Sequence, residues 1–202
     1  METTKQETLY KIRSARACIV AGFQQFTGNF RRIFKATWLP SLVFAVVSGV
    51  AEALLVEYYP LVVVALLIVY CLLYRFWLRK RLSGVLERVK GTLKCYLRHF
   101  GLMATVSFVT FMFCVGIWLL TSVPAVILGI ANIEAQRGVL YGDPLGMPDY
   151  MKWLTIGVFA LASFMQAYIY LSFFFPLRYA QGSAVAAEDE RAKAVSNHLL
   201  SE

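Results

Sequence analysis

Glu52 is the one ionisable side chain in an apolar run from about Ala36 to Val56. Steps of three and four residues put Ser41, Ala45, Ser48, Gly49 and Glu52 on one helix face. Small residues on a face let a second helix approach closely, so Glu52 is expected to point at protein rather than lipid. An acid in that setting is a candidate proton or cation site. The plainer alternative is that Glu52, about one turn from the end of its run, reaches interfacial water. Gln166 is the second candidate intramembrane polar site, near the middle of a later apolar run with Ala162 and Tyr170 on its stripe. An amide there makes an interhelical hydrogen bond, or it contacts a solute on a pathway through the bundle. Asn132 and Glu134 either face an outer cavity or are solvated loop residues, and Arg75 is expected to snorkel toward headgroups.

Other chemistries find no support. The two histidines, His99 and His198, form no Ser-His-Asp or Cys-His arrangement with their neighbours, and no HExxH is present. The four cysteines, Cys18, Cys71, Cys95 and Cys114, have no CxxC spacing, which predicts no disulfide and no metal site. Cys18 and Cys95 are positions where palmitoylation is conceivable. Asp143 and Asp149 do not make a carboxylate pair. The expectation is a protein that is not an enzyme, with no cofactor.

The elements that must position these residues are helices in lipid. Of 202 residues, 59% are hydrophobic and 16% charged, and the mean hydropathy is +0.61, outside the soluble globular range. Four apolar runs predict spans at about 36–56, 60–78, 101–123 and 153–177, so the fold class is an all-α polytopic membrane protein. The third run stays apolar to about Ala131. About 30 residues reach ~45 Å, longer than a ~30 Å hydrocarbon core, so Pro124 is expected to end or kink that span. The turn-rich stretch Ile133 to Lys152 is then the sizeable outer loop, either a connector or a recognition surface. Residues 1–179 are expected to form a single membrane domain, and 180–202 a cytoplasmic tail that is a frayed helix or disordered.

Of the twenty Lys and Arg, seven precede the first run, eight lie from Arg75 to Arg98, and three follow the fourth run. Only Arg137 and Lys152 fall on the other side. The positive-inside rule therefore puts both termini in the cytoplasm, with the bacterial inner membrane as the expected site. Trp38 and Trp77 fall at the predicted inner boundary, and Tyr58, Tyr59 and Trp153 at the outer one, while Trp118 lies deeper. No signal-peptide pattern opens the chain, so no cleavage is expected. The net charge of +8 is accounted for by cationic segments on anionic headgroups, and nucleic acid is not an expected partner.

Two of the basic segments have helical apolar stripes. Leu9, Ile12, Arg16, Ile19, Phe23, Phe26, Phe30 and Ile33 make the first, predicting an amphipathic helix over 7–34 that Gly28-Asn29 interrupts. Leu82, Leu86, Val89, Leu93, Leu97 and Phe100 make the second, over 79–98. These helices lie in the interface with their basic faces on headgroups, or pack under the bundle as a partner surface, or form a coiled-coil seam. Arg31, Arg32, Lys35, Arg79, Lys80, Arg81 and Arg98 are the residues expected to contact headgroups. An offset of 66 residues sets Phe30 on Tyr96, Arg32 on Arg98 and Phe34 on Phe100, the mark of a possible parallel two-fold repeat.

The stretch Gly28-Asn29-Phe30-Arg31-Arg32-Ile33-Phe34-Lys35-Ala36-Thr37-Trp38-Leu39-Pro40 resembles a recurrent opening of bacterial membrane families. They include the membrane domain N-terminal to some glycerophosphodiester phosphodiesterases and related integral membrane proteins. The resemblance covers about residues 20–60 and implies a membrane-embedded module. With no soluble phosphodiesterase domain here, it carries over no catalytic residue. Two functions are therefore expected to compete. One is a non-enzymatic scaffold, assembly factor or accessory subunit with a membrane-protein partner or a second copy of itself. The other is a small oligomeric transporter or channel using Glu52 and Gln166.

Overall fold

The computed structural model describes residues 9–83, 85, 89, 91–142 and 148–200, with side chains at all of these but 56, 93, 149 and 198–200. Expectations placed on Lys5, Leu86, Arg88, Lys90, Asp143, Pro144 and Gly146, and on the side chains of Leu93, Asp149 and His198, lie outside the described residues. Every regular element among the described residues is helical. In order these are α1 (Ala15–Gly28), α2 (Phe30–Leu54), a 3₁₀ turn (Val56–Tyr58), α3 (Tyr59–Arg81), α4 (Leu93–Arg98), α5 (Phe100–Leu140) and α6 (Asp149–Leu200). Helices α2, α3, α5 and α6 are long and apolar enough to cross a membrane, so the fold is that of an all-α polytopic protein.

Local chemistry sets most of the boundaries. Ser14 caps α1, its hydroxyl accepting from the Ala17 N–H. Asn29 breaks the chain between α1 and α2, as the Gly28-Asn29 pair predicts. His99 makes the same one-residue break between α4 and α5, and a Phe opens the longer helix in both places. An offset of 66 does not bring those two starts, Phe30 and Phe100, into register. Pro60 sits in the first turn of α3, where its missing N–H costs nothing. A π-helical turn over Tyr74–Leu78 adds one residue to α3 and buries both Tyr74 and Leu78. Helix α5 closes on Gly142, whose φ of 91° is open to glycine at little cost.

Several sequence expectations are corrected. Pro124 does not end the third span: α5 runs unbroken through it for 41 residues, about 60 Å, leaving no separate piece after Ala125. The hydroxyls of Thr121 and Ser122 donate to the Trp118 carbonyl in the turn before it. The connector to α6 is correspondingly shorter than 133–152. The fourth helix is not confined to 153–177: α6 runs 52 residues from Asp149 to Leu200, with Pro176 inside it. The tail is therefore neither frayed nor disordered at its start, where Ala180, Ser183, Ala184 and Ala186 are buried. The stretch 79–98 is not one helix among the described residues. Leu82 and Ser83 turn, and Thr92 starts α4 afresh by accepting from the Cys95 N–H. Its stripe divides accordingly, with Leu82 and Val89 buried and Leu97 and Phe100 exposed.

The chain divides into two compact units. The first comprises Met1–Ile33, Leu82–Phe113 and Ser172–Glu202. Its core holds Leu9, Cys18, Val89, Val106, Tyr179 and Ala180. Here the last part of α6 is gripped by residues from the start of the chain. The Arg13 N–H donates to Ser183 Oγ (2.9 Å), the Ser183 hydroxyl reaches the Arg13 carbonyl (3.3 Å), and the Arg13 guanidinium lies over the Tyr179 ring. Phe26 meets Phe175 edge-on, and α1 crosses Pro176 at Gly22. Arg98 pairs with Glu188 at 2.7 Å, with His99 at 3.7 Å from the same carboxylate. Burial pushes the Cys18 thiol up despite Arg13, and burial with Glu188 and Asp189 pushes the Cys95 thiol up. Both stay protonated and enclosed, so acylation at either requires the unit to open.

The second unit comprises Phe34–Arg81 and Cys114–Leu171. Tyr70 of α3 is fully buried in it and donates to the Ala167 carbonyl of α6 at 2.6 Å, with its ring against Phe44 of α2.

Two glycines of α1 test the first unit. A Cβ at Gly22 would collide with the Pro176 backbone, whereas a Cβ at Gly28 meets nothing. Gly22→Ala is expected to cost about 1–3 kcal/mol by overpacking. Gly28→Ala is expected to be neutral or to stabilise by up to about 1 kcal/mol. Thermal unfolding of the two variants in detergent checks this, and equal midpoints would contradict the packing of α1 on α6.

Candidate functional site

The second unit contains a polar interior built along α6. It begins where Gly49 of α2 meets Ala160: a Cβ on Gly49 would lie 2.5 Å from the Ala160 Cα, so the two backbones touch. Beside this contact the side chains of Glu52 on α2 and Ser163 on α6 reach each other, and the Ser163 hydroxyl donates to Glu52 Oε2 at 3.4 Å. Glu52 is 1% exposed, which decides between the two sequence readings: it points into protein and not at interfacial water. Ser41, Ala45, Ser48 and Gly49, predicted to share its face, are all buried as well. Ser48 bonds back to the Phe44 carbonyl at 2.7 Å and so satisfies itself within α2.

Gln166 is one turn beyond Ser163 on α6 and 2% exposed. Its amide donates to Ser122 Oγ of α5 at 3.0 Å, and Ser122 in turn donates to the Trp118 carbonyl. This is the interhelical hydrogen bond expected of it. Tyr59, from the first turn of α3, is clamped between Trp118 (6.4 Å between ring centroids) and Phe159 (6.1 Å). Its hydroxyl is buried within reach of Ser122 and Gln166 but in hydrogen-bonding geometry with neither. Tyr170 stands beside the Trp118 indole, one turn beyond Gln166 on α6. Glu52–Ser163 and Gln166–Ser122 are thus two hydrogen-bonded pairs whose α6 members are one turn apart, with the Tyr59 hydroxyl near both.

Among the described residues no Lys, Arg or His forms an ion pair with Glu52. A lone carboxylate removed from water needs a proton or a cation to offset its charge. The neutral hydroxyls and amide around it supply oxygens that can orient either one. That is the chemistry open to this site.

Three contributors were not identified from sequence as part of a site. Ser163 carries a signal in hindsight, since it precedes Gln166 by one turn on the same face. Ser122 had none beyond its closeness to Pro124. Tyr59 was expected at the outer boundary with Tyr58 and Trp153. Those two are exposed, at 61% and 75%, but Tyr59 turns inward to stack on Trp118. The basic candidates are spread over both units. Arg31, Arg32 and Lys35 are exposed on the first turns of α2, and Arg79, Lys80 and Arg81 close α3, with Arg81 over the Trp77 ring. Arg98 is held by Glu188 and is only half available to a headgroup. Asn132 and Glu134 lie on α5 rather than in a loop, and Glu134 pairs with Arg137.

No family model, curated protein or solved structure matches the chain.

Gly49 sets the enclosure of Glu52. Gly49→Leu is expected to force α2 off Ala160 and break the Ser163 contact. Carbodiimide–amine labelling read by mass spectrometry checks this. In the unaltered protein Glu52 should label far more slowly than exposed Glu57 and Glu134, and in the variant its rate should approach theirs. Equal rates for all three acids in the unaltered protein would contradict the enclosure.

Proposed function

We propose that the chain is a non-enzymatic integral membrane module, a scaffold, assembly factor or accessory subunit that other membrane proteins pack against. The supporting observation is the unequal burial of its long helices. Only 17% of the most apolar stretch of α3 and of α5 is buried, against 44% in α2 and α6. Leu61, Phe76 and Leu120 are 71%, 76% and 74% exposed. Apolar faces this wide require lipid or a partner helix as their surroundings. The module sits in the cell membrane, the bacterial inner membrane, with both termini cytoplasmic, because the basic residues cluster in segments that the positive-inside rule keeps there. Arg31, Arg32, Lys35, Arg79, Lys80 and Arg81 then meet anionic headgroups, with Arg98 shared between a headgroup and Glu188. The likeness of Gly28–Pro40 to membrane domains fused to other proteins fits the same role.

Cross-linking in native membranes with mass spectrometry tests this. Photoreactive groups at exposed positions of α3 and α5, such as Leu61 and Leu120, should capture the same protein partner reproducibly. Capture of lipid alone at every position would contradict the scaffold role.

The enclosure of Glu52 favours a second reading, a small oligomeric transporter or channel working through Glu52 and Gln166. If the protein carries ions or solutes, reconstituted liposomes show a flux that Glu52→Gln abolishes. A flux equal in both proteins, or none in either, would contradict it.

A further inference from the structure

The polar cluster in the second unit has the composition of a particular kind of site. It contains one formal negative charge, on Glu52, and otherwise neutral groups: the hydroxyls of Ser163, Ser122 and Tyr59 and the amide of Gln166, whose nitrogen donates to Ser122. Oxygen donors select hard cations over the metals that prefer thiolate or imidazole. Among the described residues no three His, Cys, Asp or Glu stand together. A divalent ion beside a single carboxylate would leave one positive charge uncompensated in an apolar interior, and protein calcium sites usually gather several carboxylates to avoid this. Charge balance with Glu52 alone calls for a monovalent ion.

The spacing agrees. Ser163 Oγ and Glu52 Oε2 are 3.4 Å apart. A hydroxyl hydrogen-bonded strongly to a carboxylate closes to about 2.5–2.7 Å, so this contact is loose. Two oxygens at that separation subtend about a right angle at an ion about 2.4 Å from each, the angle between adjacent ligands in octahedral coordination and a distance usual for cations of this size. The Tyr59 hydroxyl adds a buried oxygen with no hydrogen bond of good geometry. Each of these groups is fixed by packing: Glu52 and Ser163 by the Gly49–Ala160 contact, Gln166 by Ser122, and Tyr59 by Trp118 and Phe159.

We propose that Glu52 and Ser163, with the neighbouring Tyr59 hydroxyl, form a binding site for a monovalent alkali cation of sodium size, walled by the Gln166–Ser122 pair. The proposal rests on reading Glu52 as an intramembrane site, but it concerns binding and requires no transport. Occupancy neutralises Glu52 and ties α2, α3 and α6 together at that level, so the ion stabilises the folded chain.

The full-length chain purified in detergent tests it. Thermal unfolding is followed at one pH and one ionic strength while sodium chloride replaces choline chloride. The midpoint should rise with sodium and saturate, as linkage to a single site requires, and potassium should act more weakly. Glu52→Gln should remove the response. Ser163→Ala, which keeps the charge and the fold, should shift the half-maximal sodium concentration upward several-fold, and this keeps the test decisive if Glu52→Gln does not fold. A midpoint indifferent to sodium but raised by acid would overturn the proposal in favour of a proton on Glu52. An equal sodium response in Ser163→Ala and in the unaltered protein would overturn it as a nonspecific salt effect. Sodium-dependent stability without flux in liposomes would leave the site standing and remove the transport reading.

Discussion

Helices α3 and α5 turn most of their circumference outward, and that circumference is leucine, valine, isoleucine and phenylalanine. In water such faces would aggregate, because the free energy of hydrating apolar area has nothing to offset it. Their solvent must be apolar, and the rest of the architecture follows from that constraint. Backbone groups in an apolar solvent must bond within their own helix, so the helices are long and continuous. Inside the second unit the chemistry inverts: Thr37, Ser41, Ser48, Glu52, Ser122, Ser163 and Gln166 are all within a few percent of complete burial. Small and polar residues are what allow helices to approach and adhere where the hydrophobic effect gives no drive for helix to meet helix.

The same inversion explains the place of Glu52. Gly49 against Ala160 brings two backbones into contact, and the side chains flanking that contact must tolerate each other at short range. A serine and an acid meet there. The acid is shielded from lipid by the approach that holds it, which makes it costly as a bare charge and useful as a site. The first unit follows a different logic, with alanine, glycine and serine on the last part of α6 letting residues 9–28 lie directly on it.

The parts of this that could be read from sequence were those governed by helical period. The face Ser41–Ala45–Ser48–Gly49–Glu52 is a matter of spacing within one helix, and it is buried as a face. Which helix covers it is not local information, so Ser163 went unpaired with Glu52 in the sequence reading. Pro124 misled as a helix end for a physical reason. In water, ending a helix at a proline exposes carbonyls to solvent at little cost, but in lipid the ended helix leaves several groups unbonded where an interior proline leaves one. The last part of α6 was missed because its packing residues are small, and small residues carry little hydropathy while permitting the closest contacts. The stretch 79–98 looked continuous because its apolar spacing runs past Thr92, whose capping hydroxyl is what starts a new helix there.

Everything rests on lipid surrounding α2, α3, α5 and α6 and on the chain crossing it an even number of times. Reporter tags at each terminus and at Gly142, scored for exposure on either side of the membrane, test this most directly. The account predicts both termini on the cytoplasmic side and Gly142 on the opposite side. All three tags on one side, or Gly142 in the cytoplasm, would contradict it.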